Sequence, residues 1–342
     1  MAVLSHRRKK RLTTHTEYCN SGYAQWVCAS EGMSLISIIV PCYNEKDALA
    51  LFVEEVKRVG KTLADDDIEL IFVDDGSTDG TLEAMRGLCA GQSGMRYISF
   101  SRNFGKEAAM LAGLKASRGE YAAVMDADLQ DPPSLLPEML KAVREEGVDW
   151  VGTRRVTRKG EPPIRSLCAR LFYKFINSIS DTQIVDGARD FKLMRRSVVD
   201  ALVSLQEYNR FSKGLNEWVG FRKKWIEFEN VERVAGETKW SFWKLMKYSI
   251  EGIVGFTTAP LLLASMLGLI FVVVSFAAIV FLVLRQLLWH ASVSGWTSMV
   301  CITVFFCGIQ LLCLGIIGQY LAKTYLEVKR RPVYIIREEF RP

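Results

Sequence analysis

The chain has 342 residues, 49% of them hydrophobic and 24% charged, with 44 Lys and Arg against 38 Asp and Glu. This composition excludes an intrinsically disordered chain and has neither a collagen-like nor a disulfide-scaffold bias. From Thr257 to Tyr320 the only formally charged side chain is Arg285, which excludes a wholly soluble protein.

In chain order, residues 1–32 open with a basic run, His6 to Arg11, and lack the apolar core of a signal peptide. They are expected to be a disordered extension, with a lipid-headgroup-binding arm as the alternative. From Met33 the pattern changes. Short apolar runs at Ile36–Pro41, Ile68–Asp74, Arg96–Phe100, Tyr121–Asp126 and Asp149–Thr153 read as strands. Between them, Asp47–Gly60, Asp79–Cys89, Gly105–Ser117 and Ser134–Glu146 have helical spacing. Strand alternating with helix predicts a mostly parallel sheet, with ligands beyond the carboxyl ends of its strands. GxGxxG and Walker A patterns are both missing, so dinucleotide and P-loop readings lose their main signal.

Two later segments are basic and amphipathic. Ile164–Ile179 reads equally as a core-facing or an interfacial helix, whereas Trp240–Ile250, with Trp240 and Trp243 beside Lys239, Lys244 and Lys247, is expected at the bilayer surface. Residues 257–284 and 296–320 are each long enough to cross a hydrocarbon core of about 30 Å. Basic flanks at 239–247 and 323–331 place both ends of this hairpin in the cytoplasm by the positive-inside rule. The eight cysteines show no CxxC or Cys/His metal spacing and read as reduced thiols. Charge is also divided between regions: residues 34–153 carry 12 basic and 21 acidic side chains, and residues 154–256 carry 20 and 12.

Three constellations carry chemistry. Asp74-Asp75-Gly76-Ser77-Thr78-Asp79 crowds three carboxylates into a strand-end turn. That suits a polar ligand with donor groups, such as a uracil ring and ribose hydroxyls, although Asp79 alone could be a helix cap. Asp126-Ala127-Asp128 places two carboxylates on one side of an extended segment. Such a pair suits a hard divalent cation bridging a diphosphate. In Ser101–Glu107, Arg102 and Lys106 either bind diphosphate oxygens or pair with the aspartates opposite.

Together with Pro41-Cys42-Tyr43-Asn44-Glu45 and Gly236-Glu237-Thr238-Lys239-Trp240, these segments resemble family 2 glycosyltransferases. More narrowly they resemble polyprenyl-phosphate glycosyltransferases of the bactoprenol, or GtrB, type, which are related to dolichol-phosphate mannose synthases. The resemblance covers roughly Met33 to Tyr334. It implies an α/β fold of the GT-A, Rossmann-like kind at 33–234, an amphipathic interface segment at 235–256, the two transmembrane helices, and a cytoplasmic basic tail at 321–342. It also implies an inverting transfer of a hexose from a nucleotide-diphosphate sugar, UDP-glucose or a related UDP-sugar, to undecaprenyl phosphate. Mg²⁺ or Mn²⁺ is the expected cofactor.

Residue by residue, the resemblance assigns Pro41, Tyr43, Glu45, Asp74, Asp75 and Lys106 to the nucleotide site. Asp126 and Asp128 match the metal-binding motif, with Gln130 beside them. Asp128 and Arg154 are expected at the reacting centre, and either Asp186 or Asp190 approaches the acceptor. The segment departs from the family there, with Ala188 and Arg189 before Asp190. Arg154, Arg210, Lys213, Arg233 and Lys239 are the candidates for the acceptor phosphate. The expected setting is the inner (plasma) membrane, multi-pass, with the catalytic domain and both termini cytoplasmic. A homo-oligomer is expected and a nucleic-acid partner is not. A processive polysaccharide synthase fits less well, because a Gln-x-x-Arg-Trp segment is missing and two spans are few for a channel. A non-catalytic lipid-carrier scaffold would have no use for the intact carboxylates.

Overall fold

A computed structural model describes residues 34–63, 66–155, 185, 187–228, 257–289 and 295–341. The expectations for residues 1–32, for both basic amphipathic segments, and for Asp186, Arg233 and Lys239 fall outside these residues.

The first half alternates as β1 (Ser34–Cys42), α1 (Lys46–Gly60), β2 (Asp66–Asp74), α2 (Thr81–Cys89), β3 (Met95–Phe100), α3 (Lys106–Ala116) and β4 (Tyr121–Val124). After a short 3₁₀ turn come α4 (Leu136–Glu145) and β5 (Trp150–Arg155). The chain then forms β6 (Ala188–Arg195), α5 (Arg196–Ser204), α6 (Ser212–Trp218) and β7 (Lys223–Phe228). With β8 (Ile336–Phe340), the described strands form one eight-stranded sheet, in the order β7-β5-β6-β4-β1-β2-β3-β8. The central strands β4, β1, β2 and β3 are mutually parallel, and β6 runs antiparallel between β4 and β5.

Strand β1 is buried without a break from Ile36 to Cys42, because helices cover both faces of the sheet. Ile36, Ile38 and Val40 face one core with Phe52 of α1, Met85 of α2 and Met139 of α4. Ile39 faces the other core with Ala109 and Met110 of α3, Trp150, and Val198 and Val199 of α5. The two-residue period of the strand thus divides one apolar run between two cores. Helix α3 is built largely of Ala and Gly, so it lies close against β1. A Cβ on Gly113 would stand 2.2 Å from Ile39 Cγ2.

Two boundaries depart from the sequence reading. Strand β4 ends at Val124 rather than Asp126, and the chain turns with Leu129 at a positive φ of 56°. The extended Asp-x-Asp geometry is therefore replaced by a turn. Residues 321–342 do not form a simple basic tail. The second long helix continues to Val328, and β8 (Ile336–Phe340) pairs antiparallel with β3. Tyr97 stacks on Phe340 at 5.9 Å, Phe100 stacks on Tyr334 at 4.9 Å, and Arg86 holds Glu338 at 2.7 and 3.0 Å. Pairing and aromatic packing outweigh the local charge and cover what would be an open sheet edge.

The long apolar helices are α7 (Ala259–Trp289) and α8 (Trp296–Val328). Both carry a stretch long and apolar enough to cross a membrane, Ala259–Ala278 and Phe305–Val328. Their surfaces leave residues such as Phe276 and Leu311 about 70% exposed, which suits lipid rather than water. Phe271 packs edge-on to Phe306 at 5.1 Å, and the Tyr320 hydroxyl donates to the Thr257 carbonyl at 2.6 Å. Gly113→Ala is expected to destabilise the sheet–helix core by about 1–3 kcal/mol, the usual cost of overpacking. Thermal or denaturant unfolding of the purified protein measures this, with Gly87→Ala, where a Cβ meets nothing within 4 Å, as the control.

Candidate active site

The carboxyl ends of β1, β2 and β4 lie side by side along one edge of the sheet. After β1, Asn44 takes a positive φ of 56° and knits its turn to the Asp-rich turn after β2. Its Oδ1 accepts from Thr78 N–H at 2.8 Å, and its N–H donates to Ser77 Oγ at 3.0 Å. Glu45 N–H donates to Thr81 Oγ1 at 3.0 Å. Pro41 is buried below this junction and Tyr43 is exposed above it.

The three carboxylates of the Asp-rich turn have different tasks. Asp74 faces inward and is 1% exposed, accepting from Ser77 N–H at 2.9 Å and Ser99 Oγ at 2.8 Å. It therefore braces the turn. Asp79 accepts from Thr81 N–H at 3.0 Å just ahead of α2, whose N-cap position is taken by Gly80 without a side-chain cap bond. Asp75 reaches the loop after β3, accepting from Phe104 N–H at 2.6 Å and Gly105 N–H at 2.9 Å. Burial pushes its pKa up to about 6 against those two hydrogen bonds. Gly76 is obligatory between these loops: its φ is +69°, and a Cβ there would lie 2.5 Å from the Arg102 carbonyl carbon. Arg102 itself lies over the Phe104 ring at 4.1 Å and donates to Asn103 O at 3.1 Å.

An ion cluster stands at these strand ends. Lys106, the first residue of α3, contacts Asp126 at 2.7 Å and Asp190 at 2.5 Å. Lys106 thus pairs with the aspartates opposite. The sheet explains the meeting. Strand β6 pairs with β4 so that Tyr121 opposes Arg195 and Val124 opposes Lys192. Continuing that register by two residues sets Asp190 level with Asp126. Like charges opposed across strands repel, and the ammonium relieves this. Desolvation disfavours the Lys106 charge, but Asp126 and Asp190 outweigh it and raise its pKa above the ordinary lysine range. Desolvation likewise opposes the Asp190 charge, yet Lys106, Lys213 and Lys192 hold its pKa well below the usual carboxylate range.

Asp128 Oδ1 accepts from Gln130 N–H at 3.2 Å, so this carboxylate stands at the turn after β4. Behind it Arg189 donates to Asp131 at 2.7 Å and to Gln130 Oε1 at 3.3 Å. Among the described residues no group of three or more His, Cys, Asp or Glu could hold a metal alone. Two carboxylates, with phosphate oxygens and water completing the shell, nevertheless fit Mg²⁺ or Mn²⁺. The bound ammonium of Lys106 shows that Asp126 already attracts a cation.

The candidate acceptor cations are dispersed. Lys213 begins α6 close enough to Asp190 to stabilise its charge. Arg210 is tied to the end of α5, its guanidinium donating to the carbonyls of Leu202 at 3.0 Å and Leu205 at 2.6 Å, and it lines one cavity with Asp190, Lys192 and Ser212. Arg154 pairs with Glu227 across β5 and β7. The sequence reading missed Glu107 and Lys192. Glu107 accepts from Ser212 N–H at 3.0 Å, and burial raises its pKa. Lys192 is buried, which lowers its pKa to about 8 against the pull of Asp190 and Glu107. The i, i+2 spacing of Asp190 and Lys192 was a usable signal once 188–195 is seen as a strand.

The family model described as glycosyl transferase family 2 matches residues 37–203. The chain is 45% identical over 304 residues to the putative glycosyltransferase CsbB of Bacillus subtilis, covering 89% of this chain and 92% of that protein. It is 35% identical over 302 residues to the prophage bactoprenol glucosyl transferase homolog of Escherichia coli, covering 88% and 98%. Among solved structures it is similar to mannosyl-3-phosphoglycerate synthase from Rubrobacter xylanophilus, with a TM-score of 0.45 and 17% identity over 64% of this chain and 72% of that one.

The Asp75 shift fixes a sign. Its folded pKa, about 6, exceeds the ordinary 3.8, so the native state prefers the neutral acid. The stability this contributes is full below pH 3.8 and is lost as pH rises through 6. The melting temperature of Asp75→Asn relative to the unaltered protein is therefore expected to climb from pH 4 to pH 7. Paired thermal melts across that range check it.

Proposed function

The chain belongs to glycosyl transferase family 2, to its bactoprenol glucosyltransferase (GtrB) type, and from this premise we propose that it moves glucose from UDP-glucose to undecaprenyl phosphate. It is a glycosyltransferase with a GT-A fold. The observation that carries the reading is the meeting of Asp126, Lys106 and Asp190 at the carboxyl ends of the strands, with Asp128 alongside. The names of relatives, which specify bactoprenol and glucose, support the acceptor and the sugar.

In this reading Tyr43, Glu45 and Asp75 line the nucleotide end of the site. Asp126 and Asp128 would hold Mg²⁺ or Mn²⁺, which when bound supplies Lewis-acid stabilisation to the departing diphosphate. Lys106 adds a fixed positive charge from the start of α3. A phosphate oxygen of the acceptor attacks the anomeric carbon opposite the diphosphate, its new bond forming as the sugar–diphosphate bond breaks, with inversion. A phosphate monoester with a second pKa near 6 is largely ionised at neutral pH, so little proton abstraction is needed. Asp190, held ionised by three lysines, is a poor base and a good orienting anion. Catalysis then rests on positioning and charge complementarity. Of the described cations Lys213 is best placed for the acceptor phosphate, and Arg154 borders the same edge.

The hairpin would anchor the enzyme in the plasma membrane, with the catalytic domain and both termini cytoplasmic. Two observations support that topology: the basic flanks, and the return of the chain after α8 into the same sheet. A homo-oligomer would cover part of the apolar surface left on α7 and α8.

Labelled glucose transfer from UDP-glucose to undecaprenyl phosphate in vesicles tests the proposal. Transfer is expected with Mg²⁺ or Mn²⁺ and lost on chelation. Asp128→Asn should lower kcat by roughly 10²–10³-fold, in line with loss of one charge-stabilising group. Donor binding that survives without metal, alongside loss of all transfer in that variant, would overturn the metal role. Labelled product of polymer length would favour a processive synthase, and no product with any nucleotide sugar would favour the scaffold.

A further inference from the structure

Residues 205–211, between α5 and α6, have no ladder of their own, yet carboxylates from two distant parts of the chain hold them. From α8, Glu327 accepts the consecutive backbone N–H groups of Tyr208 at 2.9 Å and Asn209 at 3.3 Å. Lys323, one turn earlier on the same helix, donates to Asn209 Oδ1 at 3.0 Å. At the other end Glu107 accepts the Ser212 N–H at 3.0 Å and also its hydroxyl. Between these anchors Arg210 ties the loop to the last carbonyls around α5.

We propose that residues 205–211 form a strap that couples the end of membrane helix α8 to the reacting centre. Glu327 and Glu107 are its positioning residues. Glu107 directly follows Lys106, which bridges Asp126 and Asp190, and Lys213 directly follows Ser212. A shift of α8 therefore passes through Tyr208 and Asn209 to Ser212, and from there to Lys213 on one side and Glu107 on the other. Two backbone donors on one carboxylate define both distance and direction, as an isolated side-chain contact does not. The strap sets the height of Lys213 above the helix end from which a lipid phosphate would approach. This rests on the lipid-acceptor reading and adds to it a route by which the membrane anchor places the acceptor.

The full-length enzyme in vesicles tests the strap with Glu327→Ala and the conservative Glu327→Gln, which keeps an acceptor oxygen. Amide exchange at residues 208 and 209 should accelerate in Glu327→Ala and recover in part in Glu327→Gln. The KM for undecaprenyl phosphate should rise roughly tenfold in Glu327→Ala, a displacement effect, while the KM for UDP-glucose stays within about twofold. Unchanged exchange at 208 and 209 overturns the strap whatever the substrate proves to be. So does faster exchange with an unchanged acceptor KM, or a parallel rise in both KM values, which would mark general destabilisation. Failure of the unaltered enzyme to glycosylate any polyprenyl phosphate instead overturns the lipid-acceptor reading, and the exchange measurement distinguishes the two.

Discussion

The ion cluster of Lys106 with Asp126 and Asp190 is the constraint around which the catalytic domain is arranged. Antiparallel pairing of β6 with β4 brings Asp190 of β6 level with Asp126, two residues past the end of β4, an arrangement that two anions alone would resist. The counter-charge comes from the first residue of α3, and α3 can deliver it only because its Ala- and Gly-rich face lies tight on β1. Packing on one side of the sheet and electrostatics at its end are therefore one problem. The same helix start also contributes Glu107, so both charges of the Lys106-Glu107 pair point into working contacts.

Buried charge is handled in the same manner elsewhere. Asp131, wholly buried, is paired with Arg189, and burial pushes its pKa up to about 6 against that pairing. Glu69 sits beneath α3 with Arg96 at 3.0 Å and takes the Ser37 hydroxyl at 2.5 Å. Removing one partner of such a pair leaves an uncompensated charge, which costs more than the pair contributes. These contacts fix geometry more than they add stability. That is what the proposed transfer, resting on positioning, would require.

Much of this was legible in the sequence, and the gaps have physical causes. Strands β1 to β5 and helices α1 to α4 carry their own periodicity, so local pattern located them. The Asp-rich turn and the paired aspartates were visible as unusual charge at strand ends. Strand β6 was not, because Ala188-Arg189-Asp190-Phe191-Lys192 interleaves charges that only the ion cluster makes sense of. The extended geometry assumed for Asp126 and Asp128 failed because β4 stops where its antiparallel partner stops bonding. The carbonyls at the end of α5 hold the Arg210 guanidinium, a contact that charge alone does not foretell. Strand β8 was hidden by the basic residues around it, its aromatic contacts being some 240 residues away in sequence.

The eighth strand has a consequence for how the molecule is made. In the sheet order β7 and β8 are the two outer edges, and everything between them in sequence is the hairpin and its flanks. Seven strand spacings of about 4.8 Å separate those edges, so the membrane segment closes a loop about 34 Å across the whole sheet. Chains emerge from the ribosome amino end first, and β8 follows both apolar helices in sequence. The edge of β3 must therefore wait, unpaired, until both apolar helices have been synthesised and the chain has returned. Completion of the sheet requires that the chain has returned from both apolar helices, making β8 a latch that closes only after them.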